Sequence, residues 1–171
     1  MITKKDFFHA LAELLSSESD YVWEMLSASH TQVILEWRNS NDNLKMFERK
    51  KSLTEDDQLR FLQKHDELDR VDLVLLLKDK LIGVFSVKNL NTRPEFGALI
   101  GDVSYRNKGI GKYAKELFFL TWFEKLNQNC LYLTNHKTNA AVIASNIKRG
   151  YDIVDERENF VVFKVLKHNF K

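Results

Sequence analysis

The first 82 residues of this 171-residue chain contain neither glycine nor proline; the remainder carries all six glycines and the single proline, Pro94. Where glycine is this scarce, each one marks a backbone demand, such as a positive φ or the close approach of another group. Gly109 and Gly111 sit at alternate positions in the stretch Ile100-Gly-Asp-Val-Ser-Tyr-Arg-Asn-Lys-Gly-Ile-Gly-Lys-Tyr-Ala114. A β-rich run precedes them, and apolar residues at 110, 113, 114, 117, 118 and 120 follow with helical period. The chain therefore passes from a strand through a glycine loop directly into a helix. Backbone N–H groups at such a helix start are unpaired and carry the positive end of the helix dipole, which suits them to phosphate oxygens. Arg106, Lys108 and Lys112 add charge nearby.

The surrounding pattern predicts helices over 4–15, 31–38, 54–64, 110–126 and 139–149. It predicts strands over 21–28, 72–77, 81–87, 95–102, 131–134, 151–154 and 159–166. Thr54 with Asp57 forms a capping-box pattern, and Lys78-Asp79-Lys80 reads as a hairpin turn. Asn139 reads as a helix cap and Gly150 as a stop. The apolar stripe over 113–123, with Trp122, and the lone Cys130 are assigned to the core. A hairpin followed by a strand-helix-strand-helix-strand run argues for a mixed α+β sheet with helices on both faces. The length fits one domain, 1–171, with 1–18 as an extra amino-terminal helix.

Several function classes drop out. The 26 basic and 24 acidic residues leave a net charge of +2, with basic residues dispersed among acids, which argues against nucleic acid. The longest apolar run, 73–77, is far short of the ~20 residues of a spanning helix, and the amino terminus is too polar for a signal peptide. One cysteine excludes an internal disulfide and a Cys-rich zinc site, so no metal is expected. The expectation is a cytoplasmic domain without a membrane partner.

Three phosphate loops compete for the glycine stretch. A Walker loop needs Ser or Thr after its lysine, and Tyr113 follows Lys112. Gly109-Ile-Gly-Lys-Tyr-Ala114 matches a dinucleotide pattern, but a polar loop separates it from the strand and the next strand ends in Thr134-Asn135 rather than an acid. Coenzyme A is the third. Arg106-x-x-Gly109-x-Gly111 resembles the acetyl-CoA loop of the GNAT superfamily of N-acetyltransferases. The resemblance extends to Glu95-Phe-Gly-Ala-Leu-Ile-Gly-Asp102 and to Asn139-Ala-Ala-Val-Ile-Ala-Ser-Asn-Ile-Lys-Arg-Gly-Tyr151. Trp37-Arg-Asn39 and Ile100-Gly-Asp102 are similar to the branch holding nucleotide-amino-sugar and ribosomal-protein-alanine acetyltransferases.

That resemblance implies a mostly antiparallel sheet whose two central strands splay around the pantetheine arm. Leu99, Ile100, Gly101 and Val103 would then pair with the arm through their backbone, a β-bulge near Gly101 aiming an N–H at the thioester carbonyl. Asn107, Lys108, Gly109, Ile110, Gly111 and Lys112, with Arg106, would hold the pyrophosphate, and Asn139 would touch the cofactor or act as a cap alone. The implied chemistry is acetyl transfer from acetyl-CoA to a primary amine of a small molecule, first an amino sugar on a nucleotide carrier. A protein or peptide α-amine and a non-catalytic acyl-CoA-binding module are the alternatives. Glu95 is the first candidate base, ahead of His30 and His65; His30, Trp37 and Arg38 lie on the acceptor side, Trp37 equally as a core anchor. Asn146 occupies the place of the relatives' general-acid tyrosine, which leaves Tyr105, Ser145, a water or a helix end for the thiolate. A monomer and a homodimer are both open.

Overall fold

Two helices announce themselves by reciprocal caps. The Thr3 hydroxyl accepts the Asp6 N–H while the Asp6 carboxylate accepts the Thr3 N–H, opening α1 (Lys4–Ala12). Thr54 and Asp57 repeat the arrangement ahead of α4 (Glu55–Lys64). The central hairpin joins β2 (Arg70–Leu77) to β3 (Lys80–Lys88) through Lys78 and Asp79, with φ of 49° and 63°. Two consecutive positive φ values match the twist of the flanking strands.

The computed structural model describes residues 1–47 and 51–170. Among these, seven strands form one sheet in the order β1-β2-β3-β4-β5-β7-β6. The remaining strands are β1 (Tyr21–Met25), β4 (Glu95–Ile100), β5 (Cys130–His136), β6 (Asp152–Glu156) and β7 (Phe160–Leu166). Every neighbouring pair is antiparallel except β4 and β5. That parallel pair has two register partners, Glu95 with Tyr132 and Phe96 with Leu133. Beyond them β4 continues to Ile100 and β5 to His136 without pairing to each other.

One face of the sheet is packed with α1 and α5 (Ile110–Leu120). Phe7 and Leu11 of α1 are fully buried with Val71, Leu73 and Phe85, so α1 belongs to the core. Phe96 meets Phe118 and Phe119 edge-on at 5.4 and 5.8 Å, in the arrangement the ring quadrupole favours. Below Leu120 the helix widens into a π turn at Thr121–Lys125, where the Thr121 hydroxyl donates to the Leu117 carbonyl at 2.8 Å. The opposite face carries α2 (Thr31–Asn39), α3 (Asn41–Leu44) and α4; α6 (Ala140–Lys148) follows β5. Among the described residues no helix is long and apolar enough to cross a membrane.

Local differences from the sequence reading have physical causes. Strand β4 ends at Ile100 because the Asp102 carboxylate accepts the Ser104 N–H and starts a 3-10 turn at Val103–Tyr105. Asn139 precedes α6 but its side chain makes no capping hydrogen bond. The bulge expected near Gly101 is absent. The β3–β4 register runs unbroken from Gly83–Ile100 to Lys88–Glu95, and the Gly101 N–H donates to the Ile82 carbonyl at 3.2 Å. Register shifts lie instead between Leu75 and Leu76 and between Ile153 and Asp155. Gly101 is glycine because of Trp37: a Cβ there would lie 1.7 Å from Trp37 Cδ2.

That contact generates a test. Overpacking costs about 1–3 kcal/mol, and in a chain this long each kcal/mol is worth about 2–4 °C. Gly101→Ala is expected to lower Tm by about 2–12 °C in a thermal melt without ligand. A wild-type Tm would mean that the tryptophan does not pack there.

Candidate active site

Gly109 caps α5 with φ 81°, a left-handed conformation that a side chain disfavours. It offers no side-chain cap, and no acidic residue stands in the first turn of α5, so the amides of Ile110, Gly111 and Lys112 remain open to an anion. A Cβ on Gly111 would meet only Ile100 Cδ1, at 3.4 Å, so the space above it is not filled by protein. The loop before the helix is held from both ends. Asp102 accepts from Lys80 Nζ at 2.7 Å and from Ser104, which together hold its carboxyl at about 2. Arg106 donates through Nε to the Ile100 carbonyl at 3.1 Å and through its Nη2 to Asn43 Oδ1 of α3 at 2.8 Å. Arg106 is therefore a clamp on the loop and on α3 as well as a charge beside it. Asn107 adopts φ 59°, and Lys108 lies over the Tyr105 ring at 5.5 Å. Val103 is exposed.

The edge of β4 that faces β5 decides which backbone groups are free. The Pro94 carbonyl accepts the Tyr132 N–H, and Gly101 N–H turns the other way, to β3. Backbone groups alternate along a strand, so Ala98 and Ile100 point into the opening while Leu99 and Gly101 point to β3. The expectation for Leu99 and Gly101 is corrected accordingly: their backbone groups belong to the β3 ladder. Ala98, which the sequence reading missed, is exposed in the opening; the Ile100 carbonyl is already taken by Arg106.

On the face under α2 and α4 lies a cavity of about 400 Å³. Cross-strand register arranges its floor in rows. Arg70, Lys88 and Glu95 stand opposite one another, then Asp72, Ser86 and Gly97, then Val74, Val84 and Leu99. Residues directly opposite share a face. Asp72, 3 % exposed, accepts from His65 Nε2 at 2.9 Å and from Arg70 Nε at 2.6 Å, with a second Arg70 bond to its other oxygen. Burial pushes the Asp72 carboxyl up, but His65 and Arg70 outweigh it and hold the group below the ordinary range. Lys4 Nζ is 3.2 Å from His65 Nδ1. An ammonium can only donate, so Nδ1 is the acceptor and Nε2 carries the proton given to Asp72. His65 thus serves as a strut between α1 and the cavity floor.

The other sequence candidates scatter. Glu95 opens β4 opposite Lys88, in the part still paired to β5. His30 accepts the Ser27 N–H through Nδ1 and lies 3.6 Å from Glu24, in the turn before α2. Trp37 packs on Gly101, whereas Arg38 lines the cavity with its guanidinium over Phe47 at 5.0 Å. Asn146 is fully buried; its Nδ2 donates to Asn135 Oδ1 at 2.9 Å and its Oδ1 accepts from Lys115 Nζ at 3.2 Å. A group sealed on both sides does not touch a reacting sulfur, so the catalytic assignment of Asn146 is corrected to a tie between α6, β5 and α5. Burial, then the nearby Arg149 charge, lower Lys115 to about 8. The amide of Asn139 makes no side-chain hydrogen bond among the described residues and is available to a ligand.

A family model described as an acetyltransferase (GNAT) domain matches residues 22–151. No functionally curated protein matches the sequence. Among solved structures, the chain is similar to spermidine N-acetyltransferase from Vibrio cholerae in complex with CoA and spermine. The TM-score is 0.73 at 15% identity, over 90% of this chain and 99% of that one. It is similar to the N-acetyltransferase PseH of Campylobacter jejuni, with TM-score 0.62 at 20% identity, over 86% and 99%. It also resembles apo FdhC, a nucleotide-linked sugar GNAT, with TM-score 0.69 at 15% identity over 88% of each chain.

Two outcomes follow from the loop and from Lys115. Acetyl-CoA at ~100 times its dissociation constant adds about 2.7 kcal/mol of stability to a binding protein. Gly111→Val is expected to melt as the wild type does without ligand and to lose that gain; a retained shift places the anion elsewhere. For Lys115, the unfolded chain binds the extra proton between pH 8 and the ordinary lysine value near 10.4, so this group makes stability rise with pH across that window. Lys115→Met is expected to flatten the rise in denaturant titrations compared at pH 8 and pH 10.

Proposed function

This chain belongs to the GNAT acetyltransferase family, and on that footing we propose that its acetyl acceptor is a small anionic amine, an amino sugar on a nucleotide carrier. The protein is an acetyl-CoA-dependent N-acetyltransferase; the open matter is what it acetylates. Acetyl-CoA supplies an activated acetyl group as a thioester, and the open amides of α5 and the free edge of β4 suit its pyrophosphate and its arm.

The observation that carries the acceptor reading is the charge of the cavity. Arg38, Lys51, Arg70 and Lys88 line it against two carboxylates, Asp57 and Asp72. Asp72 is engaged by Arg70 and His65, and Asp57 by the Thr54 N–H. Lys88 makes no ion pair with any described residue, although Glu95 stands opposite it in register. A cationic wall repels a polyamine and attracts phosphate. Phe47 and Phe61 in the same cavity offer flat apolar surface to a sugar or base.

In this reading Glu95, one step along the same face of β4 from Gly97, takes the first proton of the acceptor ammonium. The freed nitrogen forms the C–N bond to the acetyl carbon as the C–S bond breaks. The bonding pair stays on sulfur, and the second nitrogen proton goes to that sulfur. A thiol pKa near 8.5 makes this last transfer undemanding, which fits the replacement of the relatives' tyrosine by a buried asparagine. The reading carries with it a cytoplasmic enzyme acting without membrane or nucleic acid, as a monomer or a homodimer.

A thiol-release assay across nucleotide-linked amino sugars, peptides and spermidine tests the proposal, with the sugar nucleotides expected to turn over best. Lys88→Met should then raise KM for the phosphorylated acceptor roughly 10–100-fold, the worth of one charged hydrogen bond at about 1.5–3 kcal/mol. Preference for spermidine, or an unchanged KM in the variant, would overturn the anionic acceptor.

A further inference from the structure

Ser86 has no role in the chemistry so far, and its surroundings are unusual for a buried hydroxyl. It is 6 % exposed and lines the acceptor cavity. Its hydroxyl makes no hydrogen bond with any described residue, while Asp72 beside it in the same row is supplied by three donors. Its Oγ keeps access to the cavity space, where a ligand's polar group can pair with it. Across β4 its neighbour is Gly97, whose missing Cβ would lie 3.0 Å from Ser86 Oγ and 3.9 Å from Lys88 Cε. Gly97 has ordinary strand geometry, so glycine is not demanded there by the backbone; its effect is to leave the hydroxyl uncovered. It is also the first β4 residue after pairing with β5 ends at Phe96, which puts the bare patch at the mouth of the opening.

We propose that Ser86 positions the acceptor amine: its Oγ accepts an N–H of the neutral amine over the bare Cα of Gly97 and turns the nitrogen lone pair toward the opening between β4 and β5. The next row on the same face holds Lys88, two residues along β3. Ser86 Oγ and Lys88 Cε lie 3.0 and 3.9 Å from the same point above Gly97, so the two are at most about 7 Å apart. Ser86 and Lys88 together therefore act as a ruler that selects acceptors whose amine and anionic group are no farther apart than that. An amine across a sugar ring from an anomeric phosphate is suited. The ruler rests on the anionic-acceptor reading; the amine site at Ser86 does not.

The test uses the full chain, acetyl-CoA, ω-aminoalkyl phosphates of two to six carbons, the matching amino alcohols and spermidine. The phosphate series is expected to peak among the homologues whose nitrogen and phosphorus are no more than about 7 Å apart when extended, and to fall at the longer ones. Ser86→Ala is expected to lower kcat/KM on the best amine at least tenfold, with the acetyl-CoA thermal shift unchanged and with Ser86→Thr recovering most of the loss. Gly97→Ala, which keeps the hydroxyl but fills the space over it, should fall similarly, and it decides the matter if Ser86→Ala melts early. A kcat/KM within twofold of wild type in either alanine variant overturns the amine site. A phosphate series with no optimum overturns the ruler. Amino alcohols or spermidine outrunning the phosphates overturn the anionic acceptor, while the Ser86 result, scored on whichever amine is best, still stands or falls by itself.

Discussion

Two adjacent strands that run parallel and then stop pairing are the constraint on which this molecule is built. Pairing between β4 and β5 ends after Phe96 and Leu133, yet both strands continue. A sheet interior does not tolerate unsatisfied N–H and C=O groups, so an opening there has to be maintained from outside. On one side β3 holds β4 in unbroken register, and on the other β7 holds β5 over its whole length. Helix α5 spans the same two strands and presents its amino-terminal amides near the end of β4. The opening is thus a donor- and acceptor-lined slot with a positively polarised helix end beside it, which is what an extended amide chain ending in a pyrophosphate requires.

Much of this was legible in the residues. Alternation and helical period locate every strand, and the paired glycines before an apolar stripe mark the loop and the helix end. What escaped was everything set by partners distant in the chain. Gly101 was read as a bulge because an isolated strand glycine permits one; its reason is Trp37, 64 positions earlier, and no local pattern connects the two. The choice between Leu99 and Ala98 as the residue facing the slot depends on strand phase, which is fixed only by which neighbour Pro94 and Gly101 bond to. Asn146 aligns with a catalytic position yet is sealed by Lys115 and Asn135, a fact about burial rather than identity. Ser86 and Lys88 carry no motif at all and become visible only once cross-strand register sets them in rows.

The two faces of the sheet divide the labour along chemical lines. One is a nearly continuous aromatic packing of Trp23, Phe85, Phe96, Phe118 and Phe119, where a change of one methylene is felt. The other carries a row of charged residues, then a row of a paired carboxylate, a hydroxyl and a glycine, then an apolar row. This gradient means that a ligand lying along the strands meets a different chemistry every second residue.

Arg106 gives the arrangement one further property. Its guanidinium joins the end of β4 to Asn43 on α3, so a single side chain belongs to both the glycine loop and the helix layer over the cavity. A displacement of α3 would strain the same arm that steadies the loop. Thermodynamic linkage makes such a coupling reciprocal: whatever factor the first ligand imposes on the second's affinity, the second returns in full. Any coupling between the loop and the cavity that passes through this arginine therefore has no preferred direction.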